Sequence, residues 1–298
     1  MARTARRTAV GVLALAAGIV PVLAWAGTAA PLVRQRLFLA PNQLVAARPG
    51  GPPSTTFPIS YDGNYYGWIS SNWSGYAVTG SYHSVHAEWT VPEVAPSHPA
   101  TYSAAWTGID GFQNSSLIQT GTEQDFYGGA AHDSAWWTTS TAGFAEQVIT
   151  SSSSGCSGPG TCGAVAAGDS MTATIARSTS SNQWTITLSD LTEDWAFTTT
   201  ATYSGPGESA EWIVEAPALS PNGVGFHQAA LAGYGTVTFD KGTVNGSSPN
   251  LLANSSTSDA GLLVPHDGHV ASVPSSPDGD KDGFANAYGS TAPSPPAS

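Results

Sequence analysis

Short runs of alternating apolar and polar residues recur between residues 65 and 290. His86-Ala87-Glu88-Trp89-Thr90-Val91, Met171-Thr172-Ala173-Thr174-Ile175, Trp184-Thr185-Ile186-Thr187-Leu188 and Thr236-Val237-Thr238-Phe239 each change character at every step. They are rich in Thr, Val, Ile and aromatic side chains and are bounded by Gly, Ser, Asn or Asp, which predicts antiparallel strands. No 3.6-residue period holds over a dozen positions, so helices are not expected. A span of this size reads as one large all-β sandwich rather than two small domains. Threonine at alternate positions suits a solvated sheet face, because it is β-prone and polar without charge.

The ends of the chain read differently. Residues 1–30 have the form of an export signal: Arg3, Arg6 and Arg7, then an apolar run from Val10 to Val22, then Ala24-Trp25-Ala26 as a small-x-small cleavage site. The apolar run falls short of the ~20 residues that span a membrane. The expectation is a secreted protein with no stable membrane association once the signal is removed. Residues 31–64 are a Pro-rich linker, or a pro-segment whose Arg34, Arg36 and Arg48 lie against an acidic cleft until cleavage. Residues 65–290 form the folded domain, and 291–298 a disordered tail. Cys156 and Cys162, an even count in an exported chain, are expected to close a tight loop by a disulfide.

Composition narrows the function. Only 10% of the 298 residues are charged, with 21 acidic against 9 basic groups and a net charge of −12. A nucleic-acid binder needs a basic footprint, and beyond residue 48 the basic side chains are Arg177, Lys241 and Lys281 alone. In their place stand 37 Ser and 31 Thr. A surface with so few salt bridges loses little when carboxylates protonate, which points to an acidic workplace.

Candidate chemistry is sparse. There is no Cys nucleophile, no zincin motif, no Gly-x-Ser-x-Gly elbow and no phosphate loop. The seven His are scattered, so neither a metal site nor a cofactor is expected. Asp278-Gly279-Asp280-Lys281-Asp282-Gly283 imitates the start of a calcium loop. Its twelfth position is Gly289, however, where a bidentate Glu is needed, so a hairpin turn before a last strand, Phe284–Tyr288, is the simpler reading. Carboxylates set among tryptophans remain. In Ala210-Glu211-Trp212-Ile213-Val214-Glu215, a strand puts both glutamates on one face and Trp212 and Val214 on the other. The glutamates are roughly 13 Å apart along that strand and cannot form a tight pair. Their face is either a solvated exterior or a wet groove. Gln119, between Ile118 and Thr120-Gly121, points into an interior or a cleft, where its amide must be hydrogen-bonded.

Six words occur in order: Asn72-Trp73-Ser74-Gly75-Tyr76, Glu88-Trp89-Thr90-Val91-Pro92, Trp106-x-Gly108-Ile109-Asp110-Gly111, Ile118-Gln119-Thr120-Gly121, Ala135-Trp136-Trp137 and Ala210–Glu215. This sequence resembles the glutamic peptidases (eqolisins) from about residue 70 to 240, and more thinly to 290. The resemblance implies an antiparallel β-sandwich of two large sheets, of the concanavalin-like or jelly-roll type. It further implies a secreted acid endopeptidase whose Glu/Gln dyad activates water, with no metal and no covalent intermediate. Carried across, the glutamine is Gln119. The glutamate is Glu215, with Glu211 the second choice, since the motif contains both. Trp106, Asp110, Trp136 and Glu123 are implied as substrate-binding or bracing side chains. Where similar family members have a Glu two residues after the Trp136 position, this chain has Thr138. Its partners are expected to be polypeptide substrates, acted on by a monomer. Two other readings fit the composition. One is a glycoside hydrolase using Glu88 and Glu211 across a Trp-lined groove; the other is a lectin-like sugar-binding module.

Overall fold

The computed structural model describes residues 35–37, 59–61, 64–112, 114–142, 146–179, 181–220, 227–253, 258–265 and 267–298. The expected export signal, residues 1–30, and most of the Pro-rich segment lie outside them. Apart from one short 3-10 turn at Ser140–Ala142, every assigned element is a strand. The short leading strands are β1 (Gln35–Leu37), β2 (Ile59–Tyr61), β3 (Asn64–Tyr66) and β4 (Trp68–Ser70). Then come β5 (Trp73–Thr79), β6 (Ser84–Thr90), β7 (Thr101–Ile109), β8 (Ile118–Tyr127) and β9 (Ala130–Thr139), followed by the small β10 (Gln147–Val148) and β11 (Cys156–Ser157). The second half holds β12 (Ser170–Arg177), β13 (Gln183–Asp190), β14 (Trp195–Thr202) and β15 (Ser209–Glu215). It continues through β16 (Ala218–Ser220), β17 (His227–Gln228), β18 (Thr236–Val244), β19 (Ser258–Leu263), β20 (Ser272–Pro274) and β21 (Phe284–Tyr288). All four alternating runs, and the last strand, are observed where the sequence predicts them.

One hydrogen-bonded path runs β10-β9-β8-β7-β15-β5-β19-β20-β21-β18-β6-β12-β13-β14-β11. It folds over near β20, so β10 to β19 form one layer and β21 to β11 the other. Strands that are not sheet neighbours, such as β6 with β7 and β12 with β8, pack face to face. The apolar core between the layers includes Tyr76, Trp89, Ile118, Met171, Trp184, Ile186, Trp195, Trp212 and Phe239. Two indoles bridge it, Trp89 Nε1 donating to Thr122 Oγ1 at 3.0 Å and Trp212 Nε1 to the His86 carbonyl at 2.9 Å. This is the antiparallel β-sandwich the sequence implies.

The threonine excess has a visible use. On β12, β13 and β14 apolar positions turn inward while Thr174, Thr187 and Thr198 sit opposite one another in one outer row, and Thr185 faces Thr200 beside it. The other side of the β10–β19 layer is also covered. There a separate cluster of Trp68, Trp73, Trp106, Phe112, Leu117, Trp136 and Ile213 packs, and β15 is buried along its whole length.

Cys156 and Cys162 form the expected disulfide, with β11 paired to β14 beside it. By chain entropy so short a loop contributes about 2 kcal/mol. Replacing both cysteines by Ser should therefore lower the urea-unfolding free energy by about that amount. Gln35–Leu37, within the Pro-rich segment, pairs antiparallel with Ala218–Ser220.

Candidate active site

Strand β7 lies between the glutamate strand β15 and the glutamine strand β8, and β9 follows β8. Register then fixes which side chains meet. Glu211 pairs with Gly108, Gly108 with Gln119, and Gln119 with Thr138. Paired residues share a face, so these four form one row across four strands, on the side away from the other layer. Glu211 and Gln119 are two strand spacings apart, roughly 10 Å between backbones. The residue between them has no side chain. A Cβ at Gly108 would come within 3.0 Å of Trp106 and 3.2 Å of the Gln119 Cβ. Glycine thus lets the Trp106 ring and the Gln119 side chain pack closely over β7 between the carboxyl and the amide.

Both groups are fully buried, and their four polar atoms have no hydrogen-bond partner among the described residues. Each such orphan costs about 1–3 kcal/mol in an ordinary core. Buried amides are nearly always satisfied, so four such atoms in one row single it out as the candidate site. Burial raises the Glu211 pKa well above the ordinary carboxylate range; Ser209, two residues back on the same face, tempers the rise, and the Asp110 charge adds to it.

Glu215 belongs to a different row. It pairs with Trp73 and Ala104, and Ala104 with Glu123. It is displaced from Gln119 by roughly 13 Å along the strand and 10 Å across, roughly 16 Å in all. Its oxygens are already engaged: Asn72 Nδ2 donates to Oε1 at 3.2 Å and Trp106 Nε1 to Oε2 at 3.0 Å. Burial raises the Glu215 pKa as well, opposed by the donors Asn72, Trp106 and Trp73. Trp106 packs edge-on against Trp73, with ring centroids 4.8 Å apart. It shares the middle row with Gly121 and Trp136, so both tryptophans lie between the two glutamate rows. Glu123, also buried, accepts from Ser134 Oγ at 3.0 Å.

Asp110 is not brought into these rows. It follows β7 with a positive φ of 68° and is fully buried. Tyr203 Oη and Gly207 N–H donate to its Oδ2 at 2.7 and 2.8 Å, and Glu208 N–H and Asn114 Nδ2 to its Oδ1 at 2.8 and 3.0 Å. It thus ties the β14–β15 connection to the end of the β7 strand. Asp110→Ala removes the main acceptor of the buried Tyr203 phenol and Gly207 amide and of the more exposed Glu208 amide, and should cost about 3 kcal/mol, read by denaturant unfolding. Sequence reasoning missed Asn72 as a partner of Glu215, although it lies in the first of the six words, and missed Gly108 as the spacer. No local signal carries either role, because the contacts join segments about a hundred residues apart.

Residues 71–262 match the Peptidase A4 family. No curated protein matched the chain. Among solved structures, scytalido-glutamic peptidase with a transition state analog inhibitor is 21% identical, with a TM-score of 0.57 over 74% of this chain and 99% of that one. SCP-B, a member of the eqolisin family in a complex with the tripeptide Ala-Ile-His, is 20% identical, with a TM-score of 0.52 and the same coverage. Both similarities are of fold. The family match covers most of the chain, including every residue of the row and its supports, and by it this chain belongs to the Peptidase A4 family of glutamic-type endopeptidases.

Proposed function

We propose that the chain is a secreted acid endopeptidase in which Gln119 and Glu211, rather than Glu215, act on the substrate peptide. The observation that carries this is the row itself, with two buried polar groups that have no hydrogen-bond partner among the described residues flanking a glycine. Peptide hydrolysis by water needs a base, a stabiliser for the oxyanion and an acid for the leaving amine. Glu211 takes the proton from water and passes it to the amine. Gln119 Nε2–H donates to the tetrahedral oxygen while its carbonyl orients the water. An amide does this at any pH, where a second carboxyl would have to be in one particular protonation state. Thr138, next in the row beyond Gln119, takes the place of a carboxylate, which leaves Glu211 the one acid of the row. Activity should decline at very low pH, as the ionised fraction of Glu211 vanishes. It should also decline toward neutrality, where the proton for the amine is no longer held. The disulfide suits an oxidising compartment, in keeping with export.

The test is digestion of denatured casein across the acid range, from about pH 3 to pH 6, with pepstatin present, beside a parallel incubation with polysaccharide. Cleavage of protein alone is the expected result. Cleavage of polysaccharide alone would replace this reading with the glycosidase, and binding without cleavage with the lectin.

A further inference from the structure

In the other layer, the turn Asp278–Gly283 leads into β21, which pairs with β18. After Asp240 the β18 strand carries a bulge, with Lys241 at a φ of 51°, and Gly242 N–H donates to the Asp282 carbonyl at 2.9 Å. The bulge brings Asp240 to Asp278 and Asp282, and one carboxylate oxygen from each lies within 4.8 Å of the others. That is the span of two opposed calcium–oxygen bonds of about 2.4 Å. Asp278 is 7% exposed; its Oδ1 accepts from Asp282 N–H at 3.2 Å, and its Oδ2 is buried with no donor among the described residues. Asp282 Oδ1 is in the same condition. Gly283 makes the convergence possible. A Cβ there would stand 2.5 Å from Asp278 Oδ2, 2.8 Å from Asp240 Oδ1 and 2.9 Å from the Phe239 carbonyl oxygen.

Buried carboxylate oxygens are costly unless a cation or a proton satisfies them. We propose that Asp240, Asp278 and Asp282 form a calcium site that stabilises the protein. The donors are all hard oxygens, set on a turn and a bulge. That irregular array suits calcium better than magnesium, which demands a near-ideal octahedron. A linear calcium-loop pattern cannot show this site, since its third carboxylate comes from a strand some forty residues upstream rather than from the twelfth position. The charged groups facing the cluster are Asp280 and Lys281 in the turn, Lys241 on β18 and Glu88 on β6, the last two joined at 2.8 Å.

Calorimetric titration of the exported chain with calcium chloride at pH 7 should show one site. Calcium at about 5 mM, above the roughly 10⁻⁴–10⁻³ M range of extracellular modules, should raise Tm by about 5 °C over EDTA at pH 7. Magnesium should do less. Asp278→Asn should abolish both the heat and the rise while leaving casein cleavage in acid unchanged. Gly283→Ala should do the same with all three carboxylates present, and decides the matter if Asp278→Asn does not fold. Absence of heat in the unaltered protein, or a calcium response that survives in either variant, overturns the site.

Discussion

Replacing Glu211 by Gln is expected to lower kcat/KM for peptide cleavage by about 10²–10⁴-fold and to leave the chain folded. The carboxyl is fully buried and its oxygens have no donors among the described residues, so a neutral amide removes a desolvation cost rather than a bond. Tm at neutral pH should hold or rise while activity disappears, the usual trade at a site built for function rather than stability. Glu215→Gln should behave the opposite way. Its oxygens accept from Asn72 and Trp106, and an amide there turns one acceptor into a donor facing a donor. That mismatch costs about 1–3 kcal/mol but leaves the Glu211–Gly108–Gln119 row in place, so turnover should persist below the lowered Tm. Gln119→Ala should lose about 10²–10³-fold. Steady-state kinetics in acid, beside thermal unfolding of the same preparations, checks all three. A silent Glu215→Gln and an active Glu211→Gln would return the catalytic role to Glu215; full activity in both would end the dyad mechanism.

That contrast also marks how far the sequence could be read. Period-two alternation located the strands, and it put Glu211 and Glu215 on one face with Trp212 and Val214 on the other, as observed. It could not say which glutamate meets Gln119. That depends on β7 lying between β15 and β8 in a register set by residues about a hundred positions away. Nor could it say that the face is buried, because two glutamates on a strand look like a wet surface until the tryptophan cluster covers them. The same limit applies to Asp110. Its motif reads like a groove residue, yet three of its partners arrive from residues 203–208, in the connection from β14 to β15. Threonine alternation and the disulfide are local patterns, and both were legible.

The protein should be more stable in acid than at neutral pH, the reverse of ordinary acid denaturation. In most proteins native carboxylates are paired, their pKa values are depressed, and protonation costs stability. Here the shifts run the other way. Burial raises Glu211, Glu215, Asp278 and Asp190, and takes Asp133 and Asp282 to about 6. A carboxyl whose folded pKa exceeds its unfolded value binds protons more tightly when folded. Its stabilisation is complete below the unfolded pKa near 4 and is lost as pH rises through the folded one. For Asp133 and Asp282 that window is about 4 to 6, and the two glutamates act in the same direction. Each unit of difference is worth about 1.4 kcal/mol at a buried site, and less for the partly exposed aspartates, where solvent screens the charge. The opposing term is small, since among the described residues Lys241 with Glu88 is the one pairing of a lysine or arginine with a carboxylate. Several raised groups against one surface pair should give a Tm about 5–10 °C higher at pH 4 than at pH 7 in EDTA, at 2–4 °C per kcal/mol for a domain of this size. Scanning calorimetry across that range is the check, and a Tm that is flat or climbs toward pH 7 would overturn it. Scarcity of charge and burial of the few carboxyls then act together: protonation satisfies the core groups, and there is almost no surface pairing for it to break.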